Sequence, residues 1–202
     1  MRLRQHFFAA ALSTAALATA ALAAGATAAT AQDCTFEGDV FDFTPEQIAA
    51  LYDCVRDDLP AAYGAGGNAV AADYRMWGQA TTGPFAPGVH GERFLNTFVN
   101  EIGYDTYIRY TDDDEAFEMP VGTVIAKESY SLRDGAPRIG PLFIMTRVAT
   151  ADSPDTDGWV YSAVQPNGQP MGISQAFCHD CHGGFEFSDS LGYPVFEVRL
   201  GQ

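Results

Sequence analysis

Positive charge is scarce in this chain. Its 202 residues hold ten arginines and one lysine, Lys127, against 26 aspartates and glutamates, a formal charge of −15. Nucleic acids and anionic membrane surfaces are held by clustered Lys and Arg, so both are excluded as partners. Long apolar runs are also missing. The Ala/Leu-rich stretch over residues 7–24 is interrupted by Ser13, Thr14 and Thr19 and is too weakly hydrophobic to favour a stable membrane span. Histidine and cysteine number four each. There are no internal repeats and no linker long enough to divide the chain.

The first residues, Met1-Arg2-Leu3-Arg4, form a basic start to that Ala/Leu-rich stretch, and Ala29-Thr30-Ala31 fits a cleavage site before Gln32. This pattern predicts a signal peptide over residues 1–31 and export to the periplasm, leaving one domain over residues 32–202. Cys34 has no lipobox before it. Loss of Arg2 and Arg4 leaves nine basic residues against 26 acidic ones, a formal charge of −17. That balance suits a basic, soluble redox partner as well as plain solubility. In an oxidising compartment the isolated pair Cys34 and Cys54 is expected to form a disulfide tying the mature N-terminus to the first helix.

The other two cysteines belong to Cys178-His179-Asp180-Cys181-His182, the C-x-x-C-H spacing of c-type haem attachment. Two thiols three positions apart can bond the two vinyl groups of one porphyrin. The next residue, His182, can then ligate the iron. A thioredoxin-like dithiol would follow a strand and open the helix of a βαβ unit, and no such pattern surrounds the motif. A zinc site would need a fourth ligand and gives no reason for the adjacent histidine. The expected cofactor is one covalently bound haem c.

An α+β fold is expected, with helices first, a small antiparallel sheet after them and the haem helix near the C-terminus. Thr44-Pro45-Glu46-Gln47 reads as a capping box opening a helix that ends near Leu59-Pro60. A short helix is expected over residues 69–77. Another over 91–102 would bury Phe94, Leu95, Phe98 and Ile102 and be closed by Gly103. Residues 121–132, 141–149 and 158–164 read as strands of an antiparallel meander. Ser174 is the expected cap of the haem helix, and residues 194–200 an added edge strand. Asp112-Asp113-Asp114-Glu115 reads as a solvated loop.

Lys127 falls inside one of these strands. Alternation puts it on one face with Val121, Thr123 and Ile125, and its neighbour Glu128 on the other with Val124, Ala126 and Tyr130. A lysine on a half-buried face loses its proton readily and becomes nucleophilic. His90 is open to three roles: distal ligand, proton shuttle, or loop histidine at a helix start. A simple electron carrier would use a methionine or His90 as sixth ligand; Met76, Met119, Met145 and Met171 are the methionines available, and none has a diagnostic context. Phe143, Met145, Phe94 and Phe98 could line an apolar pocket.

From about Asp73 onward the chain resembles the cytochrome P-460 family. The resemblance rests on Tyr74-Arg75-Met76-Trp77, His90-Gly91-Glu92-Arg93, the stretch Pro120-Val121-Gly122-Thr123-Val124-Ile125-Ala126-Lys127-Glu128 and the single C-x-x-C-H. It implies a largely antiparallel sheet domain with flanking helices, often a homodimer, with His182 as proximal ligand and an open distal face. It places Lys127 where members with the full chromophore carry a lysine cross-linked to the porphyrin. Such members oxidise hydroxylamine and pass electrons to a soluble acceptor. Lys127, His90 and Glu128 are then the candidate catalytic residues. The related cytochrome c′-β proteins lack the cross-link and bind nitric oxide or carbon monoxide. The strand over residues 142–148 has no Asp or Glu to serve as a distal carboxylate, a departure from the hydroxylamine-oxidising pattern.

Overall fold

Local chemistry sets the N-terminal helices. In the computed structural model, which describes residues 34–85, 88–111 and 117–200, α1 runs Pro45–Asp53. The expected leader and the acidic run at 112–115 lie outside the described residues. The Thr44 hydroxyl accepts from the Gln47 amide at 3.3 Å, and the Gln47 side chain accepts from the Thr44 amide at 2.9 Å. Two donors left over by the helix start are thereby satisfied. The helix stops at Cys54, short of the expected end, and Cys54 is there bonded to Cys34 with a Cα–Cα separation of 5.9 Å. The chain turns and restarts as α2 (Asp58–Gly64). Pro60 falls in its first turn, where a missing N–H costs no helical bond. Asn68 then caps α3 (Ala69–Asp73), and a 3-10 turn, Tyr74–Met76, follows.

The strands form one antiparallel sheet in the order β1 (Gly78–Gln79), β2 (Phe94–Val99), β3 (Val124–Arg133), β5 (Leu142–Arg147), β6 (Trp159–Val164), β7 (Pro170–Met171). β4 (Ala136–Ile139) folds back on the far half of β3. The expected meander is β3, β5 and β6, and the α+β class with a small antiparallel sheet is present. The segment α4 (Val89–Glu92), a turn with left-handed backbone rather than a regular helix, and the one-turn helix α5 (Tyr104–Tyr107) flank β2.

β2 corrects the helix expected over 91–102. Every residue of Phe94–Val99 is buried, because each face of the sheet is covered. Phe94 and Phe98 are four apart, a spacing that fits one helical face and also one strand face. With Leu95 and Val99 buried on the reverse side, the period-2 alternation is hidden. Ile102 is largely exposed, and Gly103 precedes α5 instead of ending a helix. The chain over 194–200 also differs from expectation. It forms a 3-10 turn, Phe196–Val198, and a single bridge between Thr81 and Arg199.

The sheet has two covered faces. Phe94, Phe98, Ala126, Tyr130, Leu142 and Ile144 pack against α1, α2 and α3 in one core. Val99, Ile125, Met145, Trp159 and Tyr161 face the second core, which contains Tyr107, Tyr110, Met119 and Leu191 and receives Cys178. The last helix, α6 (Gln175–His182), lies on that second side. Among the described residues, no helix is long and apolar enough to cross a membrane.

Candidate functional site

α6 opens at Ser174, whose hydroxyl accepts from the Phe177 amide at 3.3 Å, as the sequence predicts. Gln175 docks it on the sheet. Its side-chain amide donates to the Tyr161 carbonyl at 2.7 Å and accepts from the Tyr161 amide at 2.8 Å, replacing a strand partner. Cys178 and His182 are one turn apart and share a helix side. Cys178 and Cys181 are free thiols, the first pushed above its usual basicity by burial.

His182 is buried, with its ring 5.3 Å from that of Tyr161. Its Nδ1 lies 2.8 Å from the Ser190 carbonyl oxygen. A carbonyl can only accept, so Nδ1 carries the hydrogen and Nε2 is left with its lone pair. Burial, followed by the charge of Lys127, pulls the imidazole down to about 4, against the opposing effect of the Ser190 bond. The ring is therefore neutral at physiological pH.

Lys127 projects from the middle of β3 onto the same side. Its direct cross-strand neighbours are Thr97 on β2 and Phe143 on β5. It is 7% exposed, and Nζ donates to the Gly192 carbonyl at 3.1 Å. Burial pushes its ammonium down to about 8. His90 arrives from a turn in which His90, Gly91 and Glu92 all have left-handed backbone, with φ of 62°, 75° and 56°. Two non-glycine residues in that region represent strain of the kind found at functional sites. The turn sets the His90 ring 4.9 Å from Phe143 and 6.1 Å from His182. Burial first, then the charges of Lys127 and His182, lower His90 to about 3. His90 Nδ1 and the Thr97 hydroxyl are buried there with no hydrogen-bond partner.

Glu128 lies apart from this group. It is wholly buried on the opposite face of β3, where Tyr74 donates to Oε1 at 2.6 Å, Tyr52 donates to Oε2 at 2.9 Å and Arg75 closes a salt bridge. Tyr52 in turn accepts from Asn96 at 3.1 Å. The network ties α1 and the Tyr74–Met76 turn to the sheet. Phe94 and Phe98 are on that far face too, so of the four apolar pocket candidates only Phe143 and Met145 share a face with Lys127. Met119 and Met145 are core residues, Met171 is on β7, and Met76 faces solvent. His179 pairs with Tyr161 through Nδ1 at 3.1 Å and approaches Asp157 through Nε2 at 3.3 Å.

A comparison with protein-family models finds no match, and neither does one with curated protein sequences.

Sequence reasoning passed over the segment that carries both carbonyl acceptors, Ser190 and Gly192. Its anchor, Asp189, sits between Arg147 and Trp159. The available signal was Arg147, an isolated charge in an otherwise apolar strand.

The donor set fits a c-type haem. Two free thiols and an imidazole with a fixed tautomer lie on one helix, and two orphaned buried polar atoms lie beyond. Among the described residues no group of three His, Cys, Asp or Glu converges as a metal ion alone would need. Beside the motif, Phe177, Phe185 and Phe187 are 76%, 46% and 68% exposed. That is apolar surface an additional hydrophobic group would cover.

Proposed function

We propose that this chain is an exported mono-haem c-type redox protein of the cytochrome P-460 kind, oxidising hydroxylamine or a related small nitrogen oxide. One observation carries the reading: the imidazole of the C-x-x-C-H motif and the chain's single lysine are both buried and near enough for the lysine charge to act on His182 and on His90, whose ring lies 6.1 Å from that of His182. Cys178 and Cys181 would hold the haem through thioether bonds, and His182 Nε2 would ligate the iron. Bound in this way, the haem would supply an open iron position and the change of oxidation state.

The chain's own residues do the rest. The Ser190 carbonyl holds the His182 tautomer and strengthens its donation. His90, neutral at working pH, offers a ring nitrogen to an N–H or O–H of a small substrate. Phe143, its ring 4.9 Å from that of His90, gives that position an apolar side. Lys127, largely desolvated, is close to its nucleophilic amine form near pH 8. In this reading its Nζ would be bonded to the porphyrin edge, one N–H and one C–H giving way to N–C, a change that would need a two-electron oxidant of the peroxide class.

The second reading is a non-enzymatic haem module that binds nitric oxide or carbon monoxide. It is favoured by one specific fact: the nearest carboxylate in sequence, Glu128, is locked on the other face by Arg75 and two tyrosines.

Lys127 provides the test, because a lysine-specific protease has only this site in the chain. The denatured holoprotein should resist cutting, and its ferrous spectrum should be strongly red-shifted from an ordinary c-type haem. Clean cleavage into two pieces after Lys127 excludes the cross-link. If reduced acceptor also fails to accumulate with hydroxylamine, the gas-binding reading replaces the oxidase.

A further inference from the structure

The segment after α6 is held in an unusual conformation by contacts outside the site. Asp189 and Ser190 are consecutive non-glycine residues with left-handed backbone, φ 50° and 62°. Such residues persist only where their surroundings over-determine them. Here the anchor is Asp189. Its carboxylate accepts from the Met119 amide at 2.7 Å and faces the Arg147 guanidinium at 3.5 Å. Arg147 Nε makes no hydrogen bond, so that contact is an ion pair rather than a bond. The Asp189 carbonyl accepts from the Trp159 indole at 2.8 Å, and Arg147 lies over the Trp159 ring at 5.6 Å. Ser188 adds a side-chain bond to the Leu191 carbonyl at 2.8 Å.

The outcome of this bracing is the position of two carbonyls. Ser190 presents its oxygen to His182 Nδ1 and Gly192 presents its oxygen to Lys127 Nζ. Arg147 and Trp159 are direct partners across β5 and β6, so the anchor is built into the sheet itself.

We propose that Asp189, braced by Arg147, Trp159 and the Met119 amide, is a positioning residue that sets the strength of His182 as an iron ligand through the Ser190 carbonyl. The inference rests on the haem reading above. A strong Nδ1–H···O bond makes the imidazole more anionic, which favours ferric over ferrous iron. Loosening the strap weakens that bond without touching the ligand.

The test uses the holoprotein and its Asp189→Asn variant. Asparagine keeps the size and one carbonyl oxygen but removes the charge that faces Arg147. The variant should keep its haem, shift its midpoint potential upward and show a lower iron–histidine stretching frequency in the ferrous state. Trp159→Phe removes the indole donor while keeping a ring under Arg147, and it should move both readouts in the same direction by less. It also serves if Asp189→Asn fails to fold. Unchanged potential and stretching frequency in a folded, haem-bearing variant overturn the proposal, even if thermal stability falls. A wild-type chain that carries no haem overturns the haem reading and this inference with it.

Discussion

Lys127 and Glu128 are adjacent in the chain and differ in everything that matters. Alternation along β3 sends one to each face. Lys127 meets a single carbonyl in an apolar surrounding, so its charge is costly. Glu128 meets an arginine and two hydroxyls, which offset part of the cost of its charge, although burial still raises its pKa. In a haem-free chain made with Cys178→Ser and Cys181→Ser, the lowered lysine fixes a sign. Between pH 8 and its ordinary value of 10.5 the unfolded chain holds the proton and the folded chain does not. Stability should therefore rise through that window, by on the order of 3 kcal/mol in total. The gain should vanish in a further Lys127→Met variant, as read by urea melts at pH 8 and 10.5. If the gain remains without the lysine, Lys127 is not its source. Glu128→Gln tests the other neighbour. Removing the partner of the Arg75 guanidinium should cost roughly 2–4 kcal/mol, less than a fully dry pair because Arg75 is partly solvated. The visible spectrum should not change, since the network faces away from His182. A spectral shift would restore Glu128 to the site.

At the scale of elements, the first turn of α6 is docked on the sheet backbone through Gln175. Gln175 supplies both a donor and an acceptor to Tyr161, taking the place of a strand neighbour. Gln175→Ala leaves the Tyr161 amide and carbonyl without those partners and should cost about 1–3 kcal/mol. Amide hydrogen exchange over residues 175–182 should accelerate while exchange over β3 stays slow. Equal acceleration in both would mean that the helix and sheet open as one unit. Much of this architecture was legible in the sequence. The capping box at Thr44, the cap at Ser174, the meander and the Cys34–Cys54 bridge all rest on interactions between near neighbours or on a count of available thiols. β2 was not legible, because a strand buried on both faces shows apolar residues at i and i+4 just as a helix does. The site was legible in part. His182 and Lys127 were identified by a motif and by rarity, and the faces of Lys127 and Glu128 by alternation. Asp189 was not, because its role is set by Arg147 and Trp159, which only the pairing of β5 with β6 brings together.

At the scale of the molecule, the sheet separates two jobs. The disulfide, the three N-terminal helices and the Glu128 network stabilise one side, and the candidate site occupies the other. Replacing Cys34 and Cys54 by alanine opens a loop of 20 residues and should cost about 3 kcal/mol of stability while leaving the spectrum and potential of the holoprotein unchanged. Charge acts over the whole surface instead. With residues 1–31 removed, the chain carries a formal −17, and the arginines nearest the two cores are spent on internal partners, Arg75 on Glu128 and Arg147 on Asp189. The outer field is therefore strongly negative and, on the redox reading proposed above, should draw a basic electron acceptor into contact faster than diffusion of neutral bodies allows. Screening removes such an advantage as the Debye length shrinks from about 30 Å at 0.01 M salt to about 8 Å at 0.15 M. The second-order rate of electron transfer to a basic single-haem acceptor should fall about tenfold or more across that range, while the rate to a neutral quinone stays level. Stopped-flow traces at five salt concentrations would decide it. A flat dependence for both acceptors would leave the acidic surface with solubility as its only role.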